Sequence, residues 1–319
     1  MVFEIIPYKT KSILILILIG YLMYSNSGIY GQGNDSLRSG DEENQVNKAR
    51  LTGVTVSALA LYGISMAGLY SLWYADYPQS SFHFIDDCKE WYGIDKIGHA
   101  TTSYWLGKIG YESLRWSGVG RKKAIWYGGT WGFIFLTTVE IFDGFSSEWG
   151  ASICDMAANT AGATLFIGQQ LLLDKQPFVI KFSYHPTEYA KYRPDLLGTN
   201  FIQRMLKDYN GQTYWLSGNI ASFLAESSKF PRWLSISFGY GAEGMLGAEY
   251  NPPDYEGEPL PYYKRYPRFF LSVDADLTKI RTRSETLKWL LNFVGYIKIP
   301  APTLEYNRNL GFKFHAFYF

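Results

Sequence analysis

The residues best suited to chemistry lie in three apolar segments in the first half of the chain. They form three pairs, and each pair has the three- or four-residue spacing that puts two side chains on one helical face. Because their neighbours are apolar, the sequence predicts that these polar groups are buried. A buried charge is costly unless it is paired or binds something. The candidate site residues are Lys96, His99, Glu140, Asp143, Asp155 and Asn159.

Three hypotheses account for such a cluster. In the first, the side chains form a closed hydrogen-bonded network that fixes the packing of the helices. In the second, His99 is a general acid–base whose pKa is tuned by Glu140 or Asp155. Lys96 then stabilises an anionic oxygen of an envelope lipid or glycan. In the third, His99 binds a metal together with a carboxylate. The sequence names neither the metal nor a cofactor, because it contains no His-Glu-x-x-His motif.

Four apolar segments are predicted as helices that position these residues, at 51–74, 96–116, 124–142 and 153–173. Short connections favour a compact antiparallel bundle over 51–175. The first segment has no charged residue over about 24 positions, which is enough for a helix of about 36 Å. We expect this segment either to span a membrane or to be buried inside the protein.

After Pro177 the pattern changes to strand-like alternation, and residues 176–319 are predicted to be strand-rich, with one helix near 283–295. Glycines at 239–244 predict a hairpin that joins strands at 233–238 and 245–250. The predicted fold class is α+β. A bundle of about four apolar helices is followed by a strand-rich aromatic half, either an antiparallel sheet or a partly closed β-barrel.

The N-terminal region has the order of residues typical of a secretory signal peptide, predicted at 1–32. Lys9 and Lys11 precede an apolar run at 13–23, and small polar residues follow it. The alternative is an uncleaved anchor helix. No cysteine lies near the end of the run, so a lipid-modified N-terminus is not expected. A polar linker is predicted at 33–50.

Composition narrows the class of partner. The 319 residues include 30 Lys and Arg against 29 Asp and Glu, a net charge of +1. This balance argues against a nucleic-acid partner, which would favour a clear basic excess. Cys88 and Cys154 are the two cysteines, and they could form a disulfide in an oxidising compartment. A buried free thiol at Cys154 is the alternative.

Several short motifs, taken in order, resemble the YfiM-type family of predicted periplasmic lipoproteins and, more weakly, the VanZ-like membrane domain. The resemblance covers about residues 94–173. The residues that carry it are Asp95, Lys96, His99, Glu140, Asp143, Trp149, Ser152, Asp155, Asn159 and Gly162.

This resemblance implies an exported protein of the bacterial envelope, at the outer membrane or the periplasmic face, with the inner membrane as the alternative. It implies a location and a fold, and no reaction. We therefore expect a structural or interaction component whose partners are membrane lipid or envelope proteins. The alternative function is an envelope lipid- or glycan-modifying enzyme that uses the residues His99, Lys96, Glu140 and Asp155.

Overall fold

The computed structural model describes residues 45–75, 77–225, 227–280 and 282–318. The signal peptide predicted at 1–32 and most of the linker predicted at 33–50 lie outside the described residues. The described chain has helices in its first half and a six-stranded antiparallel sheet in its second half, which confirms the predicted α+β class.

The described part of the first half contains five α-helices where about four helices were predicted. They are α1 (Lys48–Leu69), α2 (Ile94–Trp116), α3 (Arg121–Gly129), α4 (Trp131–Gly144) and α5 (Ile153–Leu173). The single helix predicted at 124–142 is wrong, because Thr130 divides it. The backbone of Thr130 has φ −91° and ψ −1°, and its hydroxyl donates to the carbonyl of Trp126. A threonine that bonds the preceding turn weakens the helix, and two glycines before it weaken it further.

Helix α2 lies at the centre of the helical half, and α4 and α5 approach its backbone closely through glycine. A Cβ atom added at Gly132 of α4 would collide with the backbone of Ser103, and one at Gly162 of α5 would collide with the carbonyl of Ala100. Small residues permit such close helix contacts. Helix α2 therefore sets the positions of the two helices that carry the candidate carboxylates.

Helix α1 contacts the other helices along one side only. Tyr62 of α1 packs edge-on against Phe135 and shares a 2.6 Å hydrogen bond with Thr138, both on α4. Val56 and Leu59 are exposed. Among the described helices, α1 alone is long and apolar enough to cross a membrane, judged by length and composition, and only 11% of its most apolar window is buried. Of the two alternatives predicted for this segment, this exposure argues against burial inside the protein.

The strands lie in the connections between the helices of the first half and throughout the second half of the chain. A short parallel pair, β1 (Phe84–Ile85) with β2 (Ala151–Ser152), lies beside the helices. The remaining α-helices and strands are β3 (Phe178–Tyr184), α6 (Pro194–Leu197), α7 (Phe201–Lys207), β4 (Gln212–Asn219), β5 (Leu234–Glu243), β6 (Asp254–Tyr255), β7 (Glu258–Pro259), β8 (Tyr266–Ala275), α8 (Glu285–Val294), β9 (Ala301–Asn307) and β10 (Gly311–Tyr318). The main sheet has the order β10-β9-β8-β5-β4-β3.

The hairpin predicted through 239–244 is wrong. Strand β5 runs through Gly239 and Gly241 without turning, and its partners are β4 and β8. Both glycines lie where the inner face is crowded. A Cβ at Gly239 would meet the ring of Trp215, and one at Gly241 would lie 3.1 Å from the carbonyl of Gln212. These glycines therefore mark close packing across the sheet, which is a common use of glycine within strands.

The sheet is strongly curved. The backbone of Phe182 in β3 bonds to Tyr296 and Lys298, in the segment that leads into β9. Thr213 of β4 and Tyr318 of β10 also share a 3.2 Å hydrogen bond between their hydroxyls. Residues from distant strands thus meet across the concave side of the sheet.

The two faces of the sheet have opposite character. One cross-strand row on the concave face consists of hydroxyl residues, and the next row on the convex face consists of large apolar residues. The hydroxyl row is Ser217, Ser237, Ser272 and Thr303, all buried. The apolar row is Ile180, Leu216, Phe238, Leu271, Leu304 and Phe314, and every member except Ile180 is exposed. This sheet therefore buries polar side chains and exposes apolar ones.

Buried charges on the concave face are paired. Lys181 bonds Asp274 at 2.8 Å, and Lys298 lies 3.7 Å from the other oxygen of the same carboxylate. Arg268 bonds Glu305 through two nitrogens, at 2.8 and 3.1 Å. Because these side chains are almost fully buried, each ion needs its partner to offset the loss of hydration.

Replacing Gly162 with alanine should lower the free energy of unfolding by about 1–3 kcal/mol, because the added methyl group overpacks the contact with α2. The matched control is Gly168→Ala on the same helix, where a Cβ atom meets nothing within 4 Å. There alanine should stabilise the helix by up to about 1 kcal/mol. Denaturant unfolding in detergent, followed by tryptophan fluorescence, measures both. Equal effects of the two substitutions would contradict the close approach.

Candidate functional site

The candidate site forms where the segment before α2 meets the start of α5. Strand β1 pairs with β2, and a disulfide joins Cys88 to Cys154, with 5.5 Å between their Cα atoms. Each cysteine is next to a carboxylate, Asp87 on one side and Asp155 on the other. The disulfide therefore holds these two acidic residues together, and a free thiol at Cys154 is contradicted.

Lys96 is the cation between these carboxylates. Its Nζ atom bonds Asp87 at 2.5 Å, Asp95 at 2.9 Å and Asp155 at 3.0 Å. Its side chain is 12% exposed. Burial disfavours the charged ammonium, but the adjacent carboxylates, Asp95 foremost, raise the pKa of Lys96 above its ordinary value. The lysine thus stays charged and uses all three of its donors.

Ser152 connects the lysine cluster to helix α4. It is the N-cap of α5, where its Oγ accepts from the backbone N–H of Asp155 at 3.0 Å. The same hydroxyl donates to Asp87 at 2.5 Å. Its backbone N–H donates to Oε2 of Glu140 at 2.9 Å. One residue therefore holds the side chains of Asp87 and Glu140 and the backbone of Asp155.

His99 lies on the same side of this cluster as Glu140 and Asn159. Its Nδ1 atom is 3.1 Å from the side-chain oxygen of Asn159 and 3.8 Å from Oε1 of Glu140. Its Nε2 atom is 4.0 Å from Oδ1 of Asp155. The His99 side chain is 23% exposed, more than the neighbouring carboxylates. The imidazole is therefore the most accessible group at this place.

Burial controls the protonation of the carboxylate on α4 that faces His99. Burial, with the negative charge of Asp155 nearby, raises the pKa of Glu140 to about 8. The hydrogen bond from Ser152 opposes this shift and does not cancel it. The carboxyl group of Glu140 therefore ionises less readily than an ordinary glutamate side chain.

Asp143 has a hydrogen-bond partner outside the predicted set. It accepts a 2.6 Å hydrogen bond from the hydroxyl of Tyr74. Burial and the charge of Asp155 raise the pKa of Asp143 to about 7. The structure therefore brings Lys96, His99, Glu140, Asp155 and Asn159 together and gives Asp143 a different partner.

Two acidic residues at the site were missing from the predicted set, Asp87 and Asp95. Asp95 precedes Lys96 and was noticed only as part of a motif. One feature of the sequence could have identified Asp87 as a site residue. Asp87 precedes Cys88, just as Asp155 follows Cys154. Had the disulfide been assumed, Asp87 would have been expected beside Asp155.

The network formed by these residues is not closed. Among the described residues, four buried atoms of the cluster have no hydrogen-bond partner: Asp95 Oδ1, Glu140 Oε1, Asp155 Oδ1 and Asn159 Nδ2. The two hydroxyls of the cluster are engaged, because Ser103 donates to the carbonyl of Asn159 at 2.7 Å and Ser152 donates to Asp87. The arrangement thus suits cation binding or proton transfer better than attack by a serine nucleophile.

Replacing Lys96 with methionine should lower the free energy of unfolding by about 3–5 kcal/mol, because three buried carboxylates lose their cation. The matched control is Lys108→Met on the same helix. Lys108 is also buried, but its partner Glu112 is 47% exposed. That carboxylate is left in water, so the control should cost less than about 1 kcal/mol. Similar losses for both variants, measured by denaturant unfolding, would contradict the central place of Lys96.

Comparisons with known proteins give one match. A family model matches residues 83–169, a segment that contains the whole cluster from Asp87 to Asn159. No curated protein and no solved structure matches the chain. The weaker similarity to the VanZ-like membrane domain is not shown.

The match also bears on where the protein is located. The family is described as predicted periplasmic lipoproteins, and the Cys88–Cys154 disulfide suits an oxidising compartment. The prediction of an exported, envelope-associated protein at the periplasmic face is confirmed. Residues 83–169, which carry the site, match the model of the family "Predicted periplasmic lipoprotein (DUF2279)", the YfiM-type family that the sequence resembles.

Proposed function

We propose that the protein is a structural and interaction component of the bacterial outer membrane, with the convex face of its sheet in contact with lipid. The observation that carries this proposal is that the sheet is inverted: it buries polar side chains and exposes apolar ones. Its convex side exposes the apolar row that includes Phe238, Leu271 and Phe314. A water-soluble protein rarely exposes an apolar patch of this extent. Strands that are apolar outside and polar inside are typical of bacterial outer-membrane proteins.

An aromatic row next to the apolar row supports the same location. It runs across all six strands and consists of Phe182, Tyr214, Tyr240, Phe269, Tyr306 and Phe312. Aromatic girdles at the membrane–water interface are a feature of proteins whose strands lie in lipid. The part of this row on β8, β9 and β10 is exposed, with Phe269, Tyr306 and Phe312 as its members.

The free edge of β10 supports the interaction role. Strand β10 is the last in the sheet order, so among the described strands only β9 pairs with it. In lipid, an unpaired strand edge is costly because its N–H and C=O groups have no water to bond. Phe314 and Phe317 are exposed beside this edge. A strand from an envelope protein would satisfy these groups by extending the sheet.

Phe238→Arg tests the lipid contact. Phe238 is 65% exposed in the middle of the apolar row. In lipid an arginine there should cost about 2–4 kcal/mol near the bilayer midplane, whereas in water it should cost nothing and should increase solubility. Tyr262→Arg is the control, because Tyr262 is 91% exposed on a loop.

The measurement for this pair has two parts. Folding yield and unfolding in phospholipid vesicles should fall for Phe238→Arg and stay unchanged for Tyr262→Arg. The full-length wild-type chain should fractionate with outer membranes and resist a carbonate wash. A wild-type protein that stays soluble without detergent, together with a harmless Phe238→Arg, would refute the proposal.

A second candidate function is an envelope lipid- or glycan-modifying enzyme that uses His99, Lys96, Glu140 and Asp155. The observation in its favour is Oε1 of Glu140, which lies 3.8 Å from His99 without a hydrogen-bond partner. In this case His99→Gln should abolish a change in lipid or glycan composition while the fold survives. Loss of stability alone would instead favour the structural role.

A further inference from the structure

Glu140 and Asp155 each use one carboxylate oxygen and leave the other unpaired. Oε2 of Glu140 accepts from the backbone N–H of Ser152, and Oδ2 of Asp155 accepts from Lys96. Among the described residues, Oε1 of Glu140 and Oδ1 of Asp155 have no hydrogen-bond partner. The two side chains are only 4% and 9% exposed. Two buried oxygens of this kind point to a ligand that supplies positive charge or a proton donor.

His99 completes a set of donor atoms with these two oxygens. One ring nitrogen of His99 and one oxygen from each carboxylate lie within 4.8 Å of one another. The measured separations are 3.8 Å from Nδ1 to Oε1 of Glu140 and 4.0 Å from Nε2 to Oδ1 of Asp155. Both exceed the length of a hydrogen bond. A metal ion with bonds of about 2.0–2.2 Å to nitrogen and oxygen fits between donors at this spacing after small side-chain shifts.

The balance of charge at the site also favours a cation. Three acidic side chains, Asp87, Asp95 and Asp155, bond to one lysine, and a fourth, Glu140, lies near His99. Lys96 already uses its three donors on three of them. A divalent ion beside His99 would neutralise the excess negative charge at the place where two oxygens are unpaired.

We propose that His99, Glu140 and Asp155 bind one divalent transition-metal ion, with Zn²⁺ or Mn²⁺ as the best-suited ions. An imidazole ligand favours a transition metal over Mg²⁺ or Ca²⁺, and the two carboxylates suit both Zn²⁺ and Mn²⁺. Three protein ligands leave a coordination position open, as in catalytic rather than structural metal sites.

Each of the three proposed ligands has a neighbouring residue that holds it in position for metal binding. Ser152 holds Glu140, Lys96 holds Asp155, and Asn159 lies 3.1 Å from Nδ1 of His99. When Nδ1 donates to Asn159, Nε2 is left with its lone pair for the metal. Such outer contacts orient the ligands and raise metal affinity.

A neighbouring trio of carboxylates is not a competing site. Asp87, Asp95 and Asp155 also place oxygens within 4.8 Å of one another. The ammonium of Lys96 lies among them at 2.5–3.0 Å and takes the place that a metal would need. The metal therefore belongs on the His99 side of Asp155, independently of how the sheet contacts lipid.

The test titrates the full-length protein in detergent, after dialysis against chelator, with Zn²⁺ and separately with Mn²⁺. Calorimetry should show one ion bound per chain, confirmed by elemental analysis after dialysis. Glu140→Gln should weaken binding by more than about 10–100-fold, the loss typical of removing only an outer contact. Asp143→Asn is the matched control on the same helix, and it should bind as the wild-type protein does.

A second readout is the absorption spectrum of the protein with bound Co²⁺, and its first part needs only the wild-type protein. Co²⁺ bound in place of the native ion should give visible absorption bands of a nitrogen- and oxygen-ligated site. Those bands should be lost in His99→Gln and kept in His315→Gln. Binding that is equal in wild-type and Glu140→Gln proteins, or wild-type protein without Co²⁺ bands, would overturn the proposal.

Discussion

The contact between the Lys96 ammonium and three carboxylates is the interaction on which the helical half depends. It joins the segment before α2, the first turn of α2 and the first turn of α5 through distances of 2.5–3.0 Å. Without the cation, Asp87, Asp95 and Asp155 would repel one another in a buried place. With the cation present, the position of Asp155 is fixed. Ser152 then caps α5 and holds Glu140 through its backbone N–H. The disulfide beside Asp87 acts in the same direction.

The sheet also pairs its buried charges, but its convex face is apolar. Its concave face pairs Lys181 with Asp274 and Arg268 with Glu305, while its convex face carries the apolar row. A protein in water gains free energy by burying its apolar side chains. This sheet instead exposes apolar side chains. That exposure carries no cost in free energy only where the surroundings are themselves apolar. The polar concave face then needs internal partners, and the ion pairs and hydroxyl row supply them.

Of the six site residues predicted from the spacing of polar residues in apolar segments, five come together, whereas Asp87 and Asp95 were missed. The spacing failed for Asp143, because helical spacing alone does not say which side chain a neighbouring segment will reach, and Tyr74 reaches Asp143. The division of one predicted helix at Thr130 was hidden because apolar composition continues across it. The inverted sheet was harder to see, since β10, from which the alternation was judged, exposes consecutive residues such as Phe312, Lys313 and Phe314.

Helix α2 connects the candidate site to the sheet. Gly98 lies between Lys96 and His99, and a Cβ at Gly98 would be 2.8 Å from the hydroxyl of Tyr214, a member of the aromatic row on β4. Two turns further on, the indole of Trp105 donates to the carbonyl of Ile180 on β3 at 2.7 Å. The same helix therefore carries the cation of the cluster on one side and contacts the sheet on the other. If lipid fixes the position of the sheet, it also fixes the depth at which the imidazole of His99 is presented to the envelope.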